Sequence, residues 1–197
     1  MARIPPNVAA KNGCIICLVG FPGVGKLTIA RALSRSIEAT VVDNHWINDP
    51  ILRLLPKTDA AVPEAVWPQV AKVRGAVLET IATLAPQGSN FIFTYAGSNE
   101  DDADRAAFEQ YRNVAIRRNA CFVAVRLLCS EDELVRRIQS PERRGRKLTD
   151  PSEAIENFRN FSPLDPNVPD SLTLDVTHLS ADEAAARILD HLNQSTS

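Results

Sequence analysis

The stretch Gly20-Phe21-Pro22-Gly23-Val24-Gly25-Lys26-Leu27-Thr28 gathers the residue types that can hold a chain of phosphates. Glycines admit backbone angles that a Cβ forbids, so Gly20, Gly23 and Gly25 let successive N–H groups turn toward one point. Such a concave run of amides is an anion nest. A helix beginning near Lys26 aims its positive dipole end at the same point. The Lys26 ammonium can then reach the β- and γ-phosphates of a nucleotide. Val24, Leu27 and Thr28 belong to the same nucleotide-binding set. The competing reading, a glycine turn that only links a strand to a helix, leaves Lys26 unexplained. The flanks agree with binding. Cys14-Ile15-Ile16-Cys17-Leu18-Val19 is an apolar run suited to a buried strand, and apolar residues recur at helical spacing from Ile29 to Ile37. Strand, glycine loop and helix is the order that a phosphate-binding loop requires.

One position departs from the usual loop. The residue after the lysine is commonly Ser or Thr, but here it is Leu27, and the hydroxyl follows at Thr28. That step turns the side chain by roughly 100° around the helix. With Pro22 and this displaced hydroxyl, the loop resembles that of the adenylate-kinase-like small P-loop kinases, which include the shikimate, gluconate and chloramphenicol kinases. The resemblance implies ATP as phosphoryl donor, Mg²⁺ as cofactor and a small-molecule acceptor. It also implies a three-layer α/β fold, with a five-stranded parallel sheet in the order 2-3-1-4-5. Thr28 and Asp43 are the candidates to hold Mg²⁺, directly or through water.

Asp43 follows a second apparent strand, Ala39-Thr40-Val41-Val42. In a parallel α/β sheet, ligands sit beyond the carboxyl ends of the strands. Asp43 therefore shares a rim with the glycine loop. It is the candidate base for an acceptor hydroxyl, or a water-mediated holder of Mg²⁺. The shikimate and chloramphenicol kinases use a carboxylate at this place in that way. The competing role for Asp43 or Asn44 is to cap a helix predicted from Ile47 to Leu55. His45 is a candidate acceptor contact or a structural histidine, and Trp46 a pocket wall or packing residue. Arg74 lies inside a long helical segment, Glu64 to Ala85. In nucleotide kinases that region covers the acceptor, so Arg74 is either a phosphate holder or a solvated arginine at the core rim. The third strand, Phe91 to Tyr95, leads into Ala96-Gly97-Ser98-Asn99 rather than the aspartate of a Walker B pattern. This weakens the case for a water-activating ATPase. Gly97 and Ser98 stand where the shikimate kinases carry a substrate-binding glycine stretch.

A second basic feature runs through Ser140-Pro141-Glu142-Arg143-Arg144-Gly145-Arg146-Lys147. The preceding Leu134 to Arg137 matches the Leu-x-x-Arg of the same kinases, which leads into an arginine-bearing lid; the resemblance makes Arg137 a candidate to bind the nucleotide and, with the lid arginines, to close over the transferring group. The arginine expected four residues after Arg137 is replaced by Pro141. Arg143, Arg144 and Arg146 are the candidates to supply it, in a lid at about 140–150. Guanidinium groups grip phosphate oxygens in pairs, and closure excludes water. The alternative is a solvated basic loop or a nucleic-acid patch.

The elements that must position these groups are legible as alternating strands and helices. A fourth strand is predicted over 120–129 and a fifth over 171–176. Helices are predicted over 100–118 and 152–160, and after the capping boxes Ser130-Glu131-Asp132-Glu133 and Ser180-Ala181-Asp182-Glu183. Such alternation predicts a parallel sheet covered on both faces. Residues 14–197 are expected to form one kinase domain after a loose lead, 1–13. A chain of 197 residues, 45% apolar and 23% charged, suffices for such a domain. A net charge of −2 gives no general attraction to nucleic acid or anionic membrane. There is no apolar run long enough to span a bilayer and no signal-peptide core, so a cytoplasmic location is expected. Cys14 and Cys17 would face opposite sides of a strand, and neither they nor Cys121 and Cys129 suggest a disulfide framework. The expected activity is transfer of the γ-phosphoryl of ATP to a hydroxyl or phosphate of a small acceptor. The rivals are an NTPase switch and a non-catalytic nucleotide-binding module. An RNA-end kinase fits the acidic balance poorly.

Overall fold

The structure is a computed structural model that describes residues 12–56, 62–140 and 151–194. The expected lead falls almost wholly outside that range. The strands are β1 (Cys14–Val19), β2 (Ala39–Val42), β3 (Asn90–Tyr95), β4 (Cys121–Leu128) and β5 (Leu172–Asp175). The helices are α1 (Lys26–Ile37), α2 (Asn44–Leu52), α3 (Trp67–Thr83), α4 (Asp102–Arg118), α5 (Glu131–Ile138), α6 (Pro151–Asn160) and α7 (Ala181–Gln194).

The strands form a five-stranded sheet in the order β2-β3-β1-β4-β5. All of its pairs are parallel, as the alternation predicts. Every residue of β1 and β3 is buried, which a parallel strand covered on both faces requires. Alternation along β1 splits the core in two. Cys14, Ile16 and Leu18 pack with Leu33 of α1 and Ile188 of α7. Ile15, Cys17 and Val19 pack with Leu78 of α3 and Phe108 of α4. Cys14 and Cys17 thus face different layers, as their spacing predicts. Each such aliphatic side chain contributes about 1.5–3 kcal/mol when fully buried.

Three local features differ from the sequence reading. First, α2 begins at Asn44 instead of Ile47. The Asn44 N–H is satisfied by Thr94 Oγ1 at 3.0 Å, which lets the helix start as soon as β2 ends. Second, the segment expected to be helical from Glu64 is a short 3₁₀ turn, Glu64–Val66, followed by α3. Pro68 falls in the first turn of α3, where its missing N–H has no helical partner to lose. Third, Arg118, expected only as a basic residue ending α4, is just 3% exposed. Its guanidinium donates to the carbonyls of Ile81, Ala85 and Pro86 at 2.5, 3.2 and 2.7 Å, and lies 5.6 Å from the Phe91 ring centre. It closes the carboxyl end of α3, where backbone acceptors lack helical donors. Among the described residues no helix is long and apolar enough to cross a membrane.

Candidate functional site

The glycine loop joins β1 to α1 on the carboxyl rim of the sheet. Gly25 caps α1 with φ 103°, a left-handed angle that favours glycine, and no side chain caps the helix. The amides of the first turn are therefore left to an anion rather than to a neighbouring oxygen. Gly23 has φ 105°, and a Cβ there would lie 2.7 Å from Leu134 Cδ1. The loop is thus pressed directly onto α5. Lys26 Nζ donates to the carbonyls of Gly20 and Phe21 at 2.6 and 2.8 Å, which folds the ammonium back over the loop. Val24 is buried, Leu27 half-buried and Thr28 exposed on the first turn of α1.

Arg137 clamps this loop from α5. Its Nη1 donates to Val24 O at 2.6 Å, its Nη2 to Val176 O at 2.7 Å and its Nε to Glu133 Oε1 at 2.6 Å. The matched Leu-x-x-Arg arginine thus joins the glycine loop to the exit of β5. Glu133 also receives Arg136, at 2.6 and 2.7 Å. Hydrogen bonds from Arg136 and then Arg137 hold the Glu133 carboxyl down at about 2, against the opposing effect of burial. The Ser130 box is correspondingly half-formed. Glu133 N donates to Ser130 Oγ, while Ser130 N turns to Thr177 Oγ1. The Ser180 box is reciprocal, with Ser180 N donating to Glu183 Oε2 at 2.8 Å and Glu183 N to Ser180 Oγ at 3.2 Å.

On the other side of the loop, Asp43 stands in extended conformation between β2 and α2, and its side chain makes no capping bond. Thr94 Oγ1 instead donates to Asp43 Oδ1 at 2.7 Å while accepting from Asn44 N. Thr94 is 2% exposed and lies beside Leu18 of β1, so the carboxylate is fixed from a buried strand next to the loop. Sequence reasoning missed Thr94. The signal was a hydroxyl near the carboxyl end of an otherwise apolar strand. Among the described residues no three His, Cys, Asp or Glu side chains form a metal cage. One aimed carboxylate and a nearby hydroxyl are the donor set that suits Mg²⁺ shared with phosphates.

The remaining candidates are placed as follows. His45 Nδ1 lies 3.0 Å from Asp49 Oδ1, and Asp49 also receives Arg53 at 2.6 Å. Trp46 is 60% exposed rather than packed. The Ser98 hydroxyl donates to Glu100, and Ser98 N donates to Asp104 Oδ2 at 2.8 Å. Gly97 O accepts from Leu164 N at 2.8 Å, and Asn99 N donates to Ser162 O at 3.1 Å. The exit loop of β3 is therefore clasped to the chain after α6. Arg126, a charge at the end of β4, holds the same segment through Pro163 O at 2.8 and 3.1 Å.

Arg74 projects from the buried stripe of α3 between Val70 and Leu78 and is half-buried. Its Nε is buried without a hydrogen-bond partner, as are the Tyr111 hydroxyl, Asn44 Oδ1 and Asn48 Oδ1. Among the described residues no carboxylate pairs with it. Tyr111 sits beneath Phe93 and Tyr95, with ring centres 4.8 and 5.5 Å away. Burial pushes the Tyr111 phenol up, and the Arg74 charge opposes that. A cavity of about 400 Å³ opens on the other flank, against Phe21, Arg126, Ser130, Phe158 and Asp175. Phe158 of α6 packs on Phe21 of the loop at 5.6 Å. Arg143, Arg144 and Arg146 lie outside the described residues.

A family model described as an AAA domain, AAA_33, matches residues 15–163. The chain belongs to this family. No curated protein matches this AAA-domain chain. Among solved structures it resembles a putative kinase from Chloroflexus aurantiacus, at 22% identity and TM-score 0.65, over 95% of this chain and 100% of that one. It also resembles a gluconokinase from Sinorhizobium meliloti, at 19% identity and TM-score 0.59, over 93% of each chain. A third is the Mycobacterium tuberculosis APS kinase CysC, in complex with AMPPNP and APS, at 22% identity and TM-score 0.59, over 92% of this chain and 98% of that one. The AAA-domain chain has the fold of the small P-loop kinases.

Proposed function

We propose that the chain is an ATP-dependent kinase whose acceptor is a small hydroxyl-bearing molecule with a negative charge. The observation that carries this reading is the pairing of the uncapped, lysine-topped loop with Asp43 fixed by Thr94 on the same rim. A phosphate cradle beside one aimed carboxylate suits transfer between two bound partners. The Gly20–Thr28 amides and Lys26 hold the phosphates and favour the charge that develops on the transferring group. Asp43 Oδ1 is occupied by Thr94, which leaves Oδ2 to take the proton of an acceptor hydroxyl. Mg²⁺, when bound, would neutralise phosphate charge; Thr28 would hold it directly or through water, and Asp43 through water, so that Oδ2 stays available as the base. Arg137 positions the loop rather than reaching the phosphates. The cavity between Phe21 of the loop and Asp175 at the end of β5 takes the nucleoside end.

Arg74 sets the charge of the acceptor. A half-buried guanidinium with no counter-ion among the described residues is costly, and an anionic ligand removes that cost. A carboxylate or phosphate there would place a hydroxyl of the same molecule toward Asp43. An ATP-rich cytoplasmic setting is part of this reading.

The test is a panel of hydroxy acids, sugar phosphates and neutral polyols, screened for acceptor-dependent ADP release. Anionic members accelerate release, and Lys26→Ala abolishes it. Release that no acceptor accelerates would instead make the chain an NTPase. Tight ATP binding with no turnover would make it a nucleotide-binding module.

A further inference from the structure

The sheet register sets Cys14 of β1 directly opposite Cys121 of β4. Opposed residues of a parallel pair point to the same face. Both thiols accordingly join the core layer that α1 and α7 cover. Each thiol shifts the titration of the other. Cys14 is fully buried, whereas Cys121 is partly exposed at the amino end of the sheet. Neither of the other cysteines shares this arrangement. Cys17 faces the opposite layer, and Cys129 lies beyond the carboxyl end of β4. The pair lies at the end of the sheet opposite the phosphate loop, so the proposed kinase chemistry does not use it.

We propose that Cys14 and Cys121 are an oxidisable dithiol, a modification site for hydroperoxides that closes to a reversible disulfide. The two sulfurs have distinct roles. Cys14, directly opposite, holds Cys121 below the ordinary thiol value, against burial and the nearby Asp170 charge. The same contact, together with burial, pushes Cys14 up. Cys121, partly exposed and closer to thiolate, is the attacking sulfur. Its sulfur attacks the peroxide oxygen. An S–O bond forms, the O–O bond breaks, and the leaving oxygen takes a proton and departs as alcohol or water. Cys14 sulfur then attacks Cys121 sulfur. The S–S bond forms, the S–O bond breaks, and hydroxide leaves as water with the Cys14 proton. Overall the two thiols lose two electrons and the hydroperoxide gains them.

Neighbouring strands stand about 4.8 Å apart, within the Cα separation of about 4.4–6.8 Å that a disulfide spans, so the register lets the bridge close without moving the strands. Because Cys121 is partly exposed, a thiol can reach the bridge and reduce it again.

The test treats the full chain with hydrogen peroxide, blocks remaining thiols and maps peptides without reduction. The expected product links the Cys14 and Cys121 peptides and disappears with dithiothreitol, while Cys17 and Cys129 are recovered as blocked thiols. In Cys14→Ala, dimedone traps Cys121 as its sulfenic acid, and thiol loss per chain falls from about two to about one. Absence of the linked peptide, or oxidation of Cys129 as fast as Cys121, overturns the proposal. If Cys14→Ala does not fold, the wild-type map alone decides.

Discussion

On the β4 side of the phosphate loop, the charged side chains are already tied to protein. Lys26 rests on two loop carbonyls, and Arg137 spans the loop, the exit of β5 and Glu133. On the β2 side, Asn44 Oδ1, Asn48 Oδ1, Arg74 Nε and the Tyr111 hydroxyl are buried without partners. Each such atom costs about 1–3 kcal/mol when left unsatisfied. The charged side chains of the first flank are in place before a ligand arrives, which on the proposed reading suits one that never varies, such as a triphosphate. The second flank has polar atoms left for a ligand, which on the same reading suits the acceptor. On that reading, preorganisation and specificity lie on opposite sides of β1.

Substitutions can break or sharpen that contrast. Lys26→Ala lowers kcat by about 1,000-fold while far-UV circular dichroism and Tm stay near wild type. Asp43→Asn lowers kcat by about 100-fold with little change in KM for ATP, since the isosteric amide keeps its place but gives up the base. The sharpest comparison sets two arginines side by side. Arg137→Met leaves Val24 O and Val176 O without their donor and Glu133 with Arg136 alone. It lowers stability by about 3 kcal/mol, read as a Tm drop of roughly 6–12 °C. Arg74→Met removes a charge that has no counter-ion among the described residues. It raises Tm by a few degrees, while KM for the acceptor rises by about 10- to 100-fold and KM for ATP holds. If both variants lose stability alike, the two flanks do not differ in kind. The smallest effect concerns acid. Glu133 titrates lower in the folded chain than in the unfolded one, so the unfolded chain takes up the proton first. Its contribution is complete above about pH 4.5 and lost as pH falls toward about 2. Glu133→Gln removes that part of the acid dependence of Tm.

The glycine loop was legible because its signal is local. The spacing of Gly23, Gly25 and Lys26 fixes both the turn and the helix start. The strands were legible because apolar runs as uniform as Cys14–Val19 and Phe91–Tyr95 suit buried parallel strands. What escaped depends on contacts between distant residues. The Thr94 bond to Asp43 joins β3 to the end of β2, and it also moved the start of α2 forward to Asn44. The Leu-x-x-Arg pattern found Arg137, but not that its partners would be Val24 O and Val176 O. Gly97 and Ser98 are engaged by Leu164, Asp104 and Glu100, of which only Asp104 and Glu100 are near in sequence. Arg118 read only as the end of a predicted helix, because no local pattern reveals three carbonyls waiting at the end of another helix.

That arginine also sets how the unfinished flank can move. By gripping three oxygens at the last turn of α3, it makes the meeting point of α3 and α4 a stiff hinge pin. Arg74 and the 3₁₀ turn lie progressively farther along the arm. Were a ligand to displace α3, the shift would be smallest at this pin and largest at the 3₁₀ turn.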